Sequence, residues 1–124
     1  VALAGMPHGT AVAAGDLAVR LGFPRRFGEQ QMTALVKTGL VTARRGTGGG
    51  SALGRPADEI SVLDVVRAVQ GEALDVPRTT ASATSEFWVD VASDMDARLA
   101  SVTLAGLAVR QRALDAEQEP MYFI

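Results

Sequence analysis

The chain has 124 residues, 48% hydrophobic but only 5% aromatic, which is enough for one domain with an aliphatic core. It has no cysteine and one histidine, His8, so a disulfide framework and a thiolate metal site are excluded, and a histidine-based zinc site is not expected. The net charge of −2 argues by itself against a nucleic-acid partner. No apolar run reaches the roughly 18 to 20 residues that span a bilayer, so we expect a cytoplasmic protein without a membrane partner.

The charges are distributed unevenly along the chain. Residues 20–55 hold seven basic side chains and one acidic one, a net charge of +6, whereas residues 56–124 hold five arginines and twelve acids, a net charge of −7. Because a basic patch on one segment is the electrostatic footprint of a DNA-binding surface, this distribution predicts a DNA-contacting half joined to an acidic half with another role.

Two helices are predicted in the first third of the chain. Val1–Ala4 resembles the end of a truncated helix, and Ala11–Leu21 has apolar residues at helical spacing before Gly22. Pro24 then favours the start of a second helix over Arg25–Thr38, which ends at Gly39. One face of this second helix carries Phe27, Met32, Leu35 and Val36, and the other carries Arg25, Arg26, Glu29, Gln30 and Thr33.

The next stretch, Gly39–Arg55, has the pattern of a β-hairpin with a glycine-rich basic tip. It could be a solvated surface turn, a phosphate-binding loop or the wing of a winged helix. The spacing excludes a Walker loop, which needs a Gly-Lys-Ser/Thr ending between a strand and a helix. Helix, short turn, helix and basic hairpin is the winged helix-turn-helix order, and it makes Arg25–Thr38 the recognition helix.

These residues carry a specific resemblance. The segments KTGLVTARRGTGGGSALGRP and ISVLDVVRAVQG, together with the later SVTLAGLA, are similar to the Rrf-two family of winged helix-turn-helix regulators. That family includes iron–sulfur, nitric-oxide and cysteine-metabolism regulators. One departure lies in the recognition helix, where members usually have Ser-Tyr-Leu-Glu-Gln and this chain has Arg26-Phe27-Gly28-Glu29-Gln30.

The resemblance implies a mainly α fold with a small β-hairpin, in which the winged domain is followed by a long dimerisation helix. It implies that Glu29 and Gln30 contact base edges in the major groove and that Arg45 enters the minor groove. The full set of residues expected to contact DNA is Arg25, Arg26, Glu29, Gln30, Thr33, Lys37, Arg44, Arg45, Gly46 and Gly48.

The second half of the chain predicts three more helices. Ser61–Asp64 is a capping-box variant at the start of a helix whose buried side is Val62, Leu63, Val65, Val66 and Val69, and Gly71 ends it. A long helix begins at Thr84 or Ser85, and Thr103 is the predicted N-cap of a terminal helix. Spacing alone shows only a core stripe on the long helix, whereas the resemblance implies a homodimer interface formed by Phe87, Trp88, Val91, Met95, Leu99 and Val102.

The expected organisation is therefore a winged helix-turn-helix domain at 1–71, a linker or sensor loop at 72–83, and dimerisation and terminal helices at 84–124. Family sensors hold an iron–sulfur cluster through cysteines in the region of residues 72–86, where this chain has only threonine, serine and alanine at positions 79–85. Either the protein is a cluster-free member that responds to another signal, or the cluster cysteines have been replaced.

The sequence thus predicts a homodimeric transcriptional regulator, a repressor, that binds a pseudo-palindromic operator in double-stranded DNA. The alternative from another class is a protein-interaction module that keeps the winged fold and no longer binds DNA. An enzyme is not expected, because no carboxylate pair, activated nucleophile or metal cluster can be assembled from the sequence.

Overall fold

The computed structural model describes residues 1–6, 11–44, 49–76 and 82–118. Within them the chain forms helices α1 (Ala14–Arg20) and α2 (Arg25–Lys37), strands β1 (Val41–Arg44) and β2 (Gly50–Leu53), and helices α3 (Val62–Gln70), α4 (Ala83–Ala100) and α5 (Leu104–Gln118). A short 3-10 turn, Ala57–Glu59, lies between β2 and α3. In the described part of the chain, no helix is both long and apolar enough to cross a membrane.

The helix boundaries follow from local chemistry. Gly39 ends α2 with a φ of 78°, a conformation that side chains with a Cβ rarely adopt. At the start of α3, the Asp64 backbone N–H donates to Ser61 Oγ and the Ser61 N–H donates to Asp64 Oδ2, which is the predicted reciprocal capping box. Thr103 Oγ1 accepts from the Gly106 N–H and so caps α5 as predicted.

Among the residues that the structure describes, the buried apolar side chains include two clusters that share partly buried neighbours from α2 and the hairpin. The first joins Leu3, Leu17 and Val41, and the second joins Leu40, Ile60 and Leu104. Leu35 packs against both clusters, while Met32 packs against the first. One side of α2 is thus fixed against the body of the protein and the opposite side is left to solvent.

The hairpin is attached to the segment before α1. Strands β1 and β2 pair antiparallel, with Val41 opposite Leu53 and Arg44 opposite Gly50. Val12 and Ser51 exchange two backbone hydrogen bonds of 2.8 and 2.6 Å, a bridge that no periodic pattern in the sequence indicates. Because β2 is held between β1 and Val12, the base of the hairpin has a fixed position beside α1 and α2.

Helices α4 and α5 are joined to the winged part by backbone and side-chain bonds. The Val62 N–H donates to the Val102 carbonyl and the Leu104 N–H donates to the Ile60 carbonyl, both at 2.9 Å. Arg67 on α3 and Asp96 on α4 form an ion pair at 3.4 Å. The buried Ala92 lies on the same side of α4 as Asp96, so this side faces α3.

Several expectations about individual side chains are wrong. Phe27 and Val36 are exposed, because the packed side of α2 is formed by Gly28, Gln31, Met32 and Leu35, and positions 27 and 36 fall at its two edges. Val69 is also exposed, since it lies at the end of a short helix beyond the packed region. Helix α4 begins at Ala83, one residue early, because Ser82 accepts from the Ser85 N–H and is the N-cap.

Candidate nucleic-acid interface

The solvent-facing side of α2 carries a continuous set of polar side chains. Successive residues of an α-helix are rotated by about 100°, so positions 26, 29, 30, 33 and 37 fall within one face, opposite the packed side. All five side chains are exposed: Arg26, Glu29, Gln30, Thr33 and Lys37. They offer cationic, amide, carboxylate and hydroxyl groups, which suit both phosphates and the base edges of a major groove.

Arg25 lies at the edge of this face and is paired within the chain. Its Nη1 is 3.1 Å from Asp16 Oδ1 on α1, and both side chains are more than half exposed. The sequence grouped Arg25 with the DNA-contacting residues but gave no signal for its partner, since Asp16 is nine positions away and belongs to another helix. Arg25 can therefore reach DNA only by sharing or exchanging this ion pair.

Thr33 also has an internal partner. Its hydroxyl donates to the Glu29 carbonyl at 2.9 Å, one turn earlier in the same helix. A threonine hydroxyl has one proton and two acceptor lone pairs, so the oxygen can still accept a bond from a base or a bridging water. In this arrangement Thr33 is suited to the role of acceptor.

The hairpin places part of the predicted wing beside α2. Arg44 is the last residue of β1, opposite Gly50. Arg45, Gly46 and Gly48, which were predicted to contact DNA, lie outside the described residues. The structure thus fixes where the wing begins and ends, and the minor-groove role of Arg45 stays a prediction from sequence.

The six residues predicted for dimerisation, five on α4 and Val102 just beyond its end, divide into two groups by exposure. Phe87, Trp88 and Met95 are exposed, whereas Val91, Leu99 and Val102 are half-buried. Leu99 lies on the side of the buried Ala92, towards α3, so it contributes to packing within the chain. Phe87, Trp88, Val91 and Met95 form an apolar face of α4 beside the packed side, and the rings of Phe87 and Trp88 contact edge to face with centroids 5.3 Å apart. Val102 lies beyond the helix, where its carbonyl accepts from the Val62 N–H.

Helix, turn, helix and hairpin, with a packed and an exposed side on the second helix, define a winged helix-turn-helix DNA-binding protein. A family model named Rrf2, described as an iron-dependent transcriptional regulator, matches residues 1–110. The chain belongs to the Rrf2 family of transcriptional regulators, which confirms the resemblance found in the sequence.

Individual relatives agree with this assignment. The HTH-type transcriptional regulator IscR of Xenorhabdus nematophila is 34% identical over 113 residues, which cover 84% of this chain and 68% of the relative. Among solved structures, CymR of B. subtilis, a global cysteine regulator, is 28% identical with a TM-score of 0.73, covering 88% of this chain and 86% of CymR. IscR of T. potens is 29% identical with a TM-score of 0.71, covering 99% of this chain and 83% of IscR. The predicted winged fold and the function of DNA-binding transcription regulator are both confirmed.

Proposed function

We propose that the protein represses transcription by binding a pseudo-palindromic operator as a homodimer. The observation that carries the proposal is the exposed polar face of α2, which lies within the basic segment 20–55 and opposite the packed side of the helix. A repressor of this kind acts by occupying promoter DNA, and two copies related by a twofold axis would bind two half-sites.

The apolar face of α4 supports the dimer. Phe87, Trp88 and Met95 leave large apolar surfaces open to solvent next to the half-buried Val91. A contiguous exposed apolar patch on a small domain marks an interaction surface, and a second copy of the same helix would cover it with matching chemistry. Catalysis is not part of the proposal, since the family consists of transcriptional regulators.

We also propose that this regulator works without a cysteine-held iron–sulfur cluster. The family is described as iron-dependent, and such clusters are held mainly by cysteine thiolates. The 124 residues contain no cysteine, and no cluster of three or more histidine, aspartate or glutamate side chains with metal-binding geometry occurs in the described part of the chain. The available donors therefore do not fit that group. Anaerobic addition of iron and sulfide should leave the visible absorbance and the DNA affinity unchanged, and a new charge-transfer band would overturn this part.

The test of DNA binding is the salt dependence of affinity for DNA upstream of the protein's own gene. Each phosphate neutralised by a cation releases counterions, so the slope of log affinity against log salt should be about −0.9 per contact. Lys37→Ala should make this slope shallower by about one contact. Arg112→Ala, an exposed arginine on α5 in the acidic half, is the matched control and should leave it unchanged.

Fluorescence anisotropy at several salt concentrations measures these slopes. A slope near zero for the unaltered protein would contradict DNA binding and favour the interaction-module alternative. A reporter gene placed behind the bound DNA would then separate repression from activation, because deletion of the regulator should raise transcription from a repressed promoter.

A further inference from the structure

Two phenylalanines form an exposed apolar pair at the start of the recognition helix. Phe23 lies in the turn before α2 and Phe27 lies in its first turn, and their rings are 5.5 Å apart. The two residues are 51% and 45% exposed, respectively. Single exposed apolar residues are common, but two large rings that contact each other and are left in water at this position indicate a binding surface.

The position of Phe27 places it at the edge of the polar face of α2. Residues three or four apart on a helix are neighbours, so Phe27 lies beside Gln30, and Arg26 immediately precedes it. Phe27 does not belong to the packed side, where Met32 and Leu35 meet the core. Its ring is therefore presented to whatever contacts Gln30.

The charge around the pair distinguishes it from the apolar face of α4. Phe23 and Phe27 lie within the segment of net charge +6, with Arg25 and Arg26 between them. Phe87 and Trp88, in contrast, lie between Glu86 and Asp90 in the acidic half. An apolar pair among cations suits a partner that has an anionic surface and also an accessible apolar group. DNA is such a partner, because its phosphates are anionic and thymine has a methyl group in the major groove.

We propose that Phe27, backed by Phe23, contacts the C5-methyl group of a thymine in the major groove and thereby specifies thymine at one position of each half-site. The major-groove edges of the four bases offer hydrogen-bond donors and acceptors, and the thymine methyl is the apolar group among them. A phenyl ring has no hydrogen-bonding group, so its base preference must come from apolar contact. The inference rests on the proposed DNA binding and adds a specificity-determining residue to it.

The test uses uracil, which differs from thymine only in lacking this methyl group. An operator is first obtained by selection from random duplex DNA, and each thymine is then replaced singly by deoxyuridine. Removing one buried methyl should weaken binding about fourfold at the contacted position, the ratio that corresponds to about 0.8 kcal/mol. The other thymines should give ratios near one.

Variants then assign the methyl effect to Phe27. For each variant the ratio of thymine to uracil affinity is measured within the same protein, so a general loss of affinity does not affect the result. Phe27→Ala should reduce the ratio at the sensitive position to about one, and Phe27→Leu should retain part of it. Val109→Ala is the control, since it removes an exposed apolar side chain from α5 and should keep the full ratio.

The outcomes separate this inference from the proposed function. If the protein selects DNA but binds thymine and uracil operators equally at every position, Phe27 does not contact a methyl group and DNA binding still stands. If a methyl effect exists and persists in Phe27→Ala, another side chain makes the contact and the inference is overturned. If no DNA is selected and the salt slope is near zero, the proposed function itself fails and the inference falls with it.

Discussion

At the scale of single residues, the ion pair between Arg25 and Asp16 bears on both stability and DNA binding. Exposed pairs of this kind contribute at most about 1 kcal/mol to stability, so the pair is not needed to hold α1 against α2. The pair also bears on DNA binding, because Asp16 places a negative charge next to a cation that phosphates would attract. Intramolecular pairing and DNA contact compete for the same guanidinium.

Asp16→Asn should therefore raise DNA affinity, by about twofold to tenfold at low salt and by less at high salt, where screening weakens both effects. Anisotropy titrations of the variant at two salt concentrations measure this change. Asp16→Asn in an Arg25→Ala background is the control, and its effect should be smaller because the cation is gone. Weaker binding by Asp16→Asn alone would instead show that Asp16 orients Arg25 towards DNA.

At the scale of elements, the wing depends on a close approach between two backbone segments. A Cβ at Gly50 would overlap the Val12 backbone, and the Gly50 φ of 141° is one that side chains rarely adopt. Gly50→Ala should lower the free energy of unfolding by more than about 1 kcal/mol and weaken DNA binding, since β2 would have to move away from Val12. Denaturant unfolding measures the stability.

Gly106→Ala is the matched control for that substitution. Gly106 lies in α5, where an added Cβ would meet Thr103 Oγ1 at 3.4 Å and where alanine has the higher helix propensity. This variant should be neutral or slightly more stable and should bind DNA normally. Equal losses in both variants would mean that the Val12 contact does not position the hairpin.

The elements that the sequence predicted well are those with local signals. Gly39 and the pair Ser61 and Asp64 fix helix ends through groups a few residues apart, so their effect is visible in the sequence. The bridge between Val12 and Ser51 was missed because it joins single residues far apart in the chain through backbone atoms alone. Ser82 was missed as a cap because several serines and threonines surround it and each could serve.

The sequence predicts the exposed face of the candidate site but not its edges or its ion pair. The exposed face of α2 follows from helical periodicity, which separates Gln30 and Lys37 from Met32 and Leu35. Periodicity cannot decide whether residues at the boundary between the two sides are buried, and Phe27, predicted to share the face of Met32 and Leu35, is exposed. The Arg25 ion pair depends on how two helices pack, which spacing along one of them does not reveal.

At the scale of the whole molecule, the two halves have opposite charge and different proposed partners. The basic segment contains the face proposed to meet DNA, and the acidic remainder carries the apolar face of α4. The bonds between residues 60–62 and 102–104, together with the ion pair of Arg67 and Asp96, connect these parts. Two copies joined through α4 would therefore present two α2 helices at a defined separation.

The dimer proposal predicts that charge on the exposed face of α4 separates the copies. Phe87→Asp combined with Met95→Asp places carboxylates on two of the three exposed positions and leaves the half-buried Leu99 in place. Light scattering should give twice the chain mass for the unaltered protein and the chain mass for the variant, because burying an unpaired carboxylate in an apolar interface is unfavourable. Ala97→Asp, on the side of α4 away from the apolar face, should remain dimeric.

The thermal stability of the protein should also reveal the dimer. Since only the folded chain dimerises, the thermal midpoint of the unaltered protein should rise with protein concentration, and that of the double variant should not. The variant should also lose most of its affinity for a full operator while keeping weak binding to a half-site, because α2 and the wing are unchanged. A double variant with unaltered mass, concentration-dependent midpoint and full operator affinity would show that the dimer forms through another surface.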